Sequence, residues 1–80
     1  MREFIIRGEK FEINNTRIIN ALNEVEPEPI RKYFVEINKI RYPIKQVISR
    51  VCGIPKLGFT SMDAYHVLRK LGFKVQTQLE

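Results

Sequence analysis

The chain reads as an α+β domain, a small antiparallel sheet packed against three short helices in the order ββαββααβ. Three observations predict this class. Apolar and polar residues alternate with period two around residues 4–13 and again around residues 33–42. Apolar residues recur at helical spacing in three other stretches. Strand and helix patterns are segregated rather than alternating as βαβ units, which favours α+β over α/β.

Phe4 and Ile6, then Phe11 and Ile13, alternate with polar residues on either side of Gly8-Glu9. Residues 3–7 and 10–14 are therefore predicted to pair as a short hairpin. Asn15 and Thr16 carry side-chain oxygens suited to capping a helix, and Ile18, Ile19, Leu22 and Val25 follow at helical spacing. This predicts a first helix over residues 16–25. It should stop at Glu26-Pro27-Glu28-Pro29, because proline lacks a donor and biases the residue before it to an extended form.

Tyr33, Val35 and Ile37 alternate with Phe34, Glu36 and Asn38, the pattern of a strand. Asn38-Lys39 stands where a two-residue turn belongs, and Ile40-Arg41-Tyr42 returns as its partner. Pro43 suits the first position of a helix, and Ile44, Val47, Ile48 and Val51 mark one apolar face over residues 43–52. Gly53 can cap that helix in the left-handed region. Thr60-Ser61-Met62-Asp63 has the form of a capping box ahead of a third helix over residues 61–71, with Ala64, Val67, Leu68 and Leu71 facing inward. Gly72-Phe73 is the signature of a Schellman cap, and residues 74–77 are predicted to form the last strand.

Eighty residues, 44% of them hydrophobic and 29% charged, fit a single globular domain over residues 1–80 and argue against a disordered tail. No apolar run approaches the roughly 20 residues that cross a bilayer, and charge interrupts residues 1–7 too early for a secretion signal. No membrane association is expected, and the expected compartment is the cytoplasm. A single cysteine, Cys52, and a single histidine, His66, leave no disulfide framework and no Cys/His zinc site. No metal or cofactor is expected.

Catalysis is the easiest class to set aside. His66 is read as a residue on the polar side of its helix, and Cys52 as a small hydrophobe in the last turn of another. No phosphate-binding glycine loop occurs. The chain is read as a non-enzyme.

Charge is more informative. Residues 1–29 carry four basic and six acidic side chains, whereas residues 30–80 carry ten basic and three acidic, so the net +5 divides into −2 and +7. Such segregation favours an anionic partner. Lys45 and Ser49 should share one exposed stripe of the second helix, Gln46 and Arg50 the next. His66, Arg69 and Lys70 fall at i, i+3, i+4 on the third helix. Lys39 and Arg41 flank a hairpin tip, and Lys56 lies on the loop between helices. Lys39, Arg41, Lys45, Arg50, Lys56, His66, Arg69 and Lys70 are accordingly the candidate phosphate-contacting residues, with Arg31 and Lys74 read as solvated surface. The eight residues Gly53–Thr60 are too many for a helix-turn-helix turn, although Ser61, Met62, Tyr65, His66 and Arg69 could present the third helix to a major groove.

The stretch Tyr33-Phe34-Val35-Glu36-Ile37-Asn38-Lys39-Ile40-Arg41-Tyr42-Pro43-Ile44-Lys45-Gln46-Val47, with Phe59-Thr60-Ser61-Met62-Asp63-Ala64-Tyr65 and Leu68-Arg69-Lys70-Leu71-Gly72-Phe73, resembles a known module. The likeness is to a small domain at the N-terminus of some modification-dependent HNH restriction nucleases and related defence proteins. That pattern runs as a hydrophobic strand, a turn glycine, Arg-Tyr-Pro-x-Lys, a helix and a closing Leu-Arg-x-Leu-Gly-Phe. With residues 16–25 matching the preceding helix, the resemblance spans about three quarters of the chain. Lys39 stands where the turn glycine is expected, and no HNH nuclease residues are present. The resemblance implies an accessory DNA-contacting or partner-docking module with Arg41, Tyr42 and Lys45 at its polar positions. The expected function is a small module that binds duplex DNA mainly through phosphates. The alternative is a protein-interaction or dimerisation module, with a homodimer supplementing a thin core.

Overall fold

Two tight turns organise the strands. In the computed structural model, which describes residues 2–78, β1 (Arg2–Ile6) and β2 (Glu9–Ile13) pair antiparallel, with Phe4 opposite Phe11. The turn residues Arg7 and Gly8 have φ of 54° and 84°. Positive φ at both positions is what a type I′ turn needs to match the twist of its strands. The same device joins β3 (Tyr33–Ile37) to β4 (Ile40–Pro43), with Asn38 and Lys39 at 54° and 65°.

The strands form two sheets where the sequence predicts one: β1 with β2, and a second sheet in the order β4-β3-β5. The last strand, β5 (Gln76–Thr77), is half the predicted length. A Schellman cap reverses the chain first, with the Phe73 N–H donating to the Leu68 carbonyl and the Gly72 N–H to that of Arg69, both at 3.0 Å. The chain reaches the sheet edge only at Gln76, opposite Phe34.

The first helix, α1 (Asn15–Ala21), is shorter than predicted and begins one residue earlier. Asn14 caps it, its side-chain oxygen accepting from the Arg17 N–H at 2.8 Å. It ends at Leu22 because the next residues bond at turn spacing and Glu24 adopts φ 61°. This left-handed step carries Val25 to the Tyr42 hydroxyl, which donates to the Val25 carbonyl at 3.0 Å. A tertiary bond outweighs the helical periodicity there.

The second helix, α2 (Ile44–Cys52), starts after Pro43, which sits in extended backbone as the last residue of β4 rather than inside the helix. Pro43 stands opposite Phe34 at the sheet edge, where a missing N–H costs nothing. Ile44, Val47, Ile48 and Val51 are buried as the spacing predicts, and Gly53 closes the helix at φ 72°. A 3₁₀ turn over Lys56–Gly58 leads to α3 (Ser61–Lys70), whose capping box joins Thr60 and Asp63 reciprocally.

One apolar cluster joins both halves of the chain: Ile6, Ile13, Ile18 and Leu22 from the acidic half pack with Ile48 and Leu68 from the basic half. Phe34 is buried outside this cluster, beneath the Arg41 guanidinium, whose central carbon lies 5.0 Å from the ring centre. No helix among the described residues is long and apolar enough to cross a membrane.

Candidate nucleic-acid interface

The proline connector after α1 is fixed by a glutamine. Gln46 is 4% exposed, and its amide serves two backbone groups of the connector. Its oxygen accepts from the Glu28 N–H and its nitrogen donates to the Glu26 carbonyl, both at 2.8 Å. The expectation that Gln46 stands on an exposed stripe is thus corrected, since two unpaired connector groups draw it inward. Ser49 leaves that surface too, donating its hydroxyl to the Ile54 carbonyl.

With the connector held, a groove of about 770 Å³ opens against four other segments. Glu28 and Pro29 form one side, and Arg31, Lys32 and Tyr33 enter from the start of β3. Pro43, Ile44, Lys45 and Gln46 come from the β4–α2 junction, Lys56 and Leu57 from the 3₁₀ turn, and Ser61 and Met62 from the first turn of α3. The backbone carrying Arg31 and Lys32 is itself anchored: the Gln78 N–H donates to the Lys32 carbonyl at 2.6 Å and the Gln78 side chain to that of Ile30 at 3.4 Å.

Four cations, Arg31, Lys32, Lys45 and Lys56, thus line one groove against one carboxylate, Glu28. Lys56 is ion-paired with Glu28 across the groove wall. The Lys45 ammonium rests 5.4 Å from the centre of the Phe59 ring, and that of Lys32 lies 5.2 Å from the centre of Tyr33. Tyr33 packs edge-on against Tyr65 at 5.5 Å, and Arg69 lies 5.7 Å over Tyr65 while donating to its hydroxyl at 3.3 Å. Two edge-packed rings flanked by cations, Lys32 on Tyr33 and Arg69 on Tyr65, therefore lead from the groove onto α3.

Of the candidate residues, Lys45 and Lys56 meet in the groove, and Arg69 joins it through the two tyrosines. The remaining five lie elsewhere. Lys39 is exposed at its turn, and Arg41 covers Phe34 on β4, across from Glu36. Arg50 is exposed five residues beyond Lys45, about 140° around the helix. His66 and Lys70 line a smaller depression of about 330 Å³ against β1, in the company of Glu3 and Asp63. The cluster His66, Arg69, Lys70 is thereby divided: Arg69 turns onto the Tyr65 ring, Lys70 faces the hairpin, and His66 does so too while packing edge-on against Tyr65 at 6.0 Å. Tyr42, a polar position of the resemblance, is 2% exposed and belongs to the core.

Sequence reasoning passes over Arg31, Lys32 and Tyr33. The available signal was their position directly after the connector, next to an aromatic that opens a strand. Among the described residues, two titrations are displaced. The Thr60 backbone N–H, donating to the Asp63 carboxylate at 2.9 Å, is the main cause holding that group below its ordinary range, and Arg7 at 3.4 Å adds to it. Burial pushes the Cys52 thiol up to about 11, with Arg17 opposing in part. Among the described residues, no group of three or more His, Cys, Asp or Glu is placed to hold a metal ion.

No curated protein and no solved structure matches the chain. A family model does so over residues 1–80, and on that match the protein belongs to the SCO5918-like family.

Proposed function

We propose that the protein is a non-catalytic module that binds nucleic acid, duplex DNA above all, through its phosphates. The observation that carries this is the gathering of Arg31, Lys32, Lys45 and Lys56 from three separate segments around one groove. Four cations beside one acid give the groove a positive potential that favours an anion. The excess of +7 over residues 30–80 extends the favourable potential beyond the groove. The first turn of α2 is consistent with the reading: its residues Ile44, Lys45 and Gln46 line the groove, and it carries neither a side-chain cap nor an acidic residue.

Phosphate contact of this kind gives a Kd of roughly 10⁻⁴–10⁻⁶ M at physiological salt with little sequence preference. The test is fluorescence anisotropy of a labelled duplex at about 50 and 200 mM salt. A slope of log K against log salt of about −3 to −6 is expected, reflecting three to six neutralised phosphates. Replacing Lys45 and Arg69 together with Ala should weaken binding and flatten the slope by about one or two units while the fold survives. Absence of binding at the lower salt would remove the reading. The resemblance to nuclease-associated domains implies an accessory DNA-contacting or partner-docking module.

A second reading, a dimerisation module, draws on Ile5, which is 70% exposed on the first hairpin. Sedimentation separates the two, since a dimer that persists unchanged in high salt belongs to the second.

A further inference from the structure

The groove is more than a phosphate site, because half of its wall is apolar. Tyr33, Pro43, Ile44 and Met62 line it, and Leu57 stands at its edge 99% exposed beside the 44%-exposed Met62. Phosphates make no use of such surface. A duplex can meet the groove's cations only along the rim, whereas a cleft of about 770 Å³ has a volume typical of sites for compact organic ligands. Cations interleaved with flat and adaptable apolar side chains match the chemistry of an unpaired nucleotide, which offers a phosphate and a stacking face together.

We propose that this groove seats an unpaired nucleotide at a DNA strand end, its base lying between Tyr33 and Met62 and its phosphates between Lys45, Lys56 and Arg31. The inference rests on the nucleic-acid reading above and names the part of the ligand that the groove takes. Tyr33 suits the role because Tyr65 and, behind it, Arg69 already hold the ring in place, so little further ordering is required. A base stacking there displaces only the Lys32 ammonium, an exposed contact that is weak in water. The incoming phosphate competes with Glu28 for Lys56.

Anisotropy titrations decide the matter with three labelled probes: a blunt duplex, the same duplex with a short single-stranded overhang, and the single strand alone. The overhang should raise affinity about tenfold or more over the blunt duplex. The exposed double variant Leu57→Ala, Met62→Ala, which leaves the core untouched, should erase that advantage, so that overhang and blunt duplex bind alike. Glu28→Gln should tighten overhang binding by freeing Lys56. Equal affinity for blunt and overhang probes overturns the inference and leaves the phosphate reading standing. An overhang advantage that survives the double variant also overturns it, by placing the nucleotide elsewhere. Failure of all three probes to bind removes both readings. A salt-insensitive dimer abolished by Leu57→Ala would assign the groove to a second copy of the chain instead.

Discussion

Replacing Gln46 with Leu strips the Glu28 N–H and the Glu26 carbonyl of their partners at once. Both bonds are partly buried, so a loss of about 1–3 kcal/mol for the pair is expected in a urea titration. The same variant should weaken nucleic-acid binding, because the connector forms one side of the groove. Cys52 makes a separate prediction. With its thiol pushed up to about 11, it should react slowly with a maleimide at neutral pH and accelerate only as the solution becomes strongly alkaline. Fast labelling at neutral pH would mean that the last turn of α2 opens readily. Neither property could be read from the sequence: the partners of Gln46 are about twenty residues away in the chain, in a connector whose path depends on the fold.

At the level of elements, Lys39 occupies left-handed backbone at φ 65°, where a glycine would sit without strain. Lys39→Gly should raise stability by up to about 1 kcal/mol, because relief of strain exceeds the entropy that glycine adds to the unfolded chain. A loss in a thermal melt would show that the lysine makes a contact worth more than the strain. At the start of α3, Thr60→Ala should cost about 1 kcal/mol by removing one arm of the capping box. Asp63, the other arm, titrates below its unfolded value near 3.9. Its contribution is complete above that value and is lost as pH falls through the folded one, so wild type and Asp63→Asn should converge in stability in acid. The elements themselves were largely legible, since α2, α3 and both hairpins follow from apolar spacing and turn residues. The end of α1 was not, because the hydrogen bond from Tyr42 to Val25 decides it. Nor was the separation into two sheets, since period-two alternation specifies which residues face inward and not which strands pair.

Across the whole molecule, charge and shape come from different parts of the chain. The sequence announced the cationic half but distributed its candidates over several surfaces. Lys45 and Lys56 line the groove, whereas Arg31 was read as solvated surface and Lys32 was not singled out, because nothing local tells a groove wall from a solvated face. The shared core brings these segments together, beside the anchoring by Gln46 and Gln78, and opening it should be costly: Ile48→Ala is expected to lose about 2–5 kcal/mol in chemical denaturation.

The single cluster that joins the two halves has a corollary for fragments. Residues 30–80 retain every groove cation, yet they lose Phe4, Ile6, Ile13, Ile18 and Leu22 from the core. Such a piece should behave as a loose polycation, flat in near-ultraviolet circular dichroism. It should still be drawn to DNA at low salt but be indifferent to the form of the strand end. Attraction is thus encoded in the basic part of the chain, and discrimination depends on the acidic part, which supplies core residues and one side of the groove.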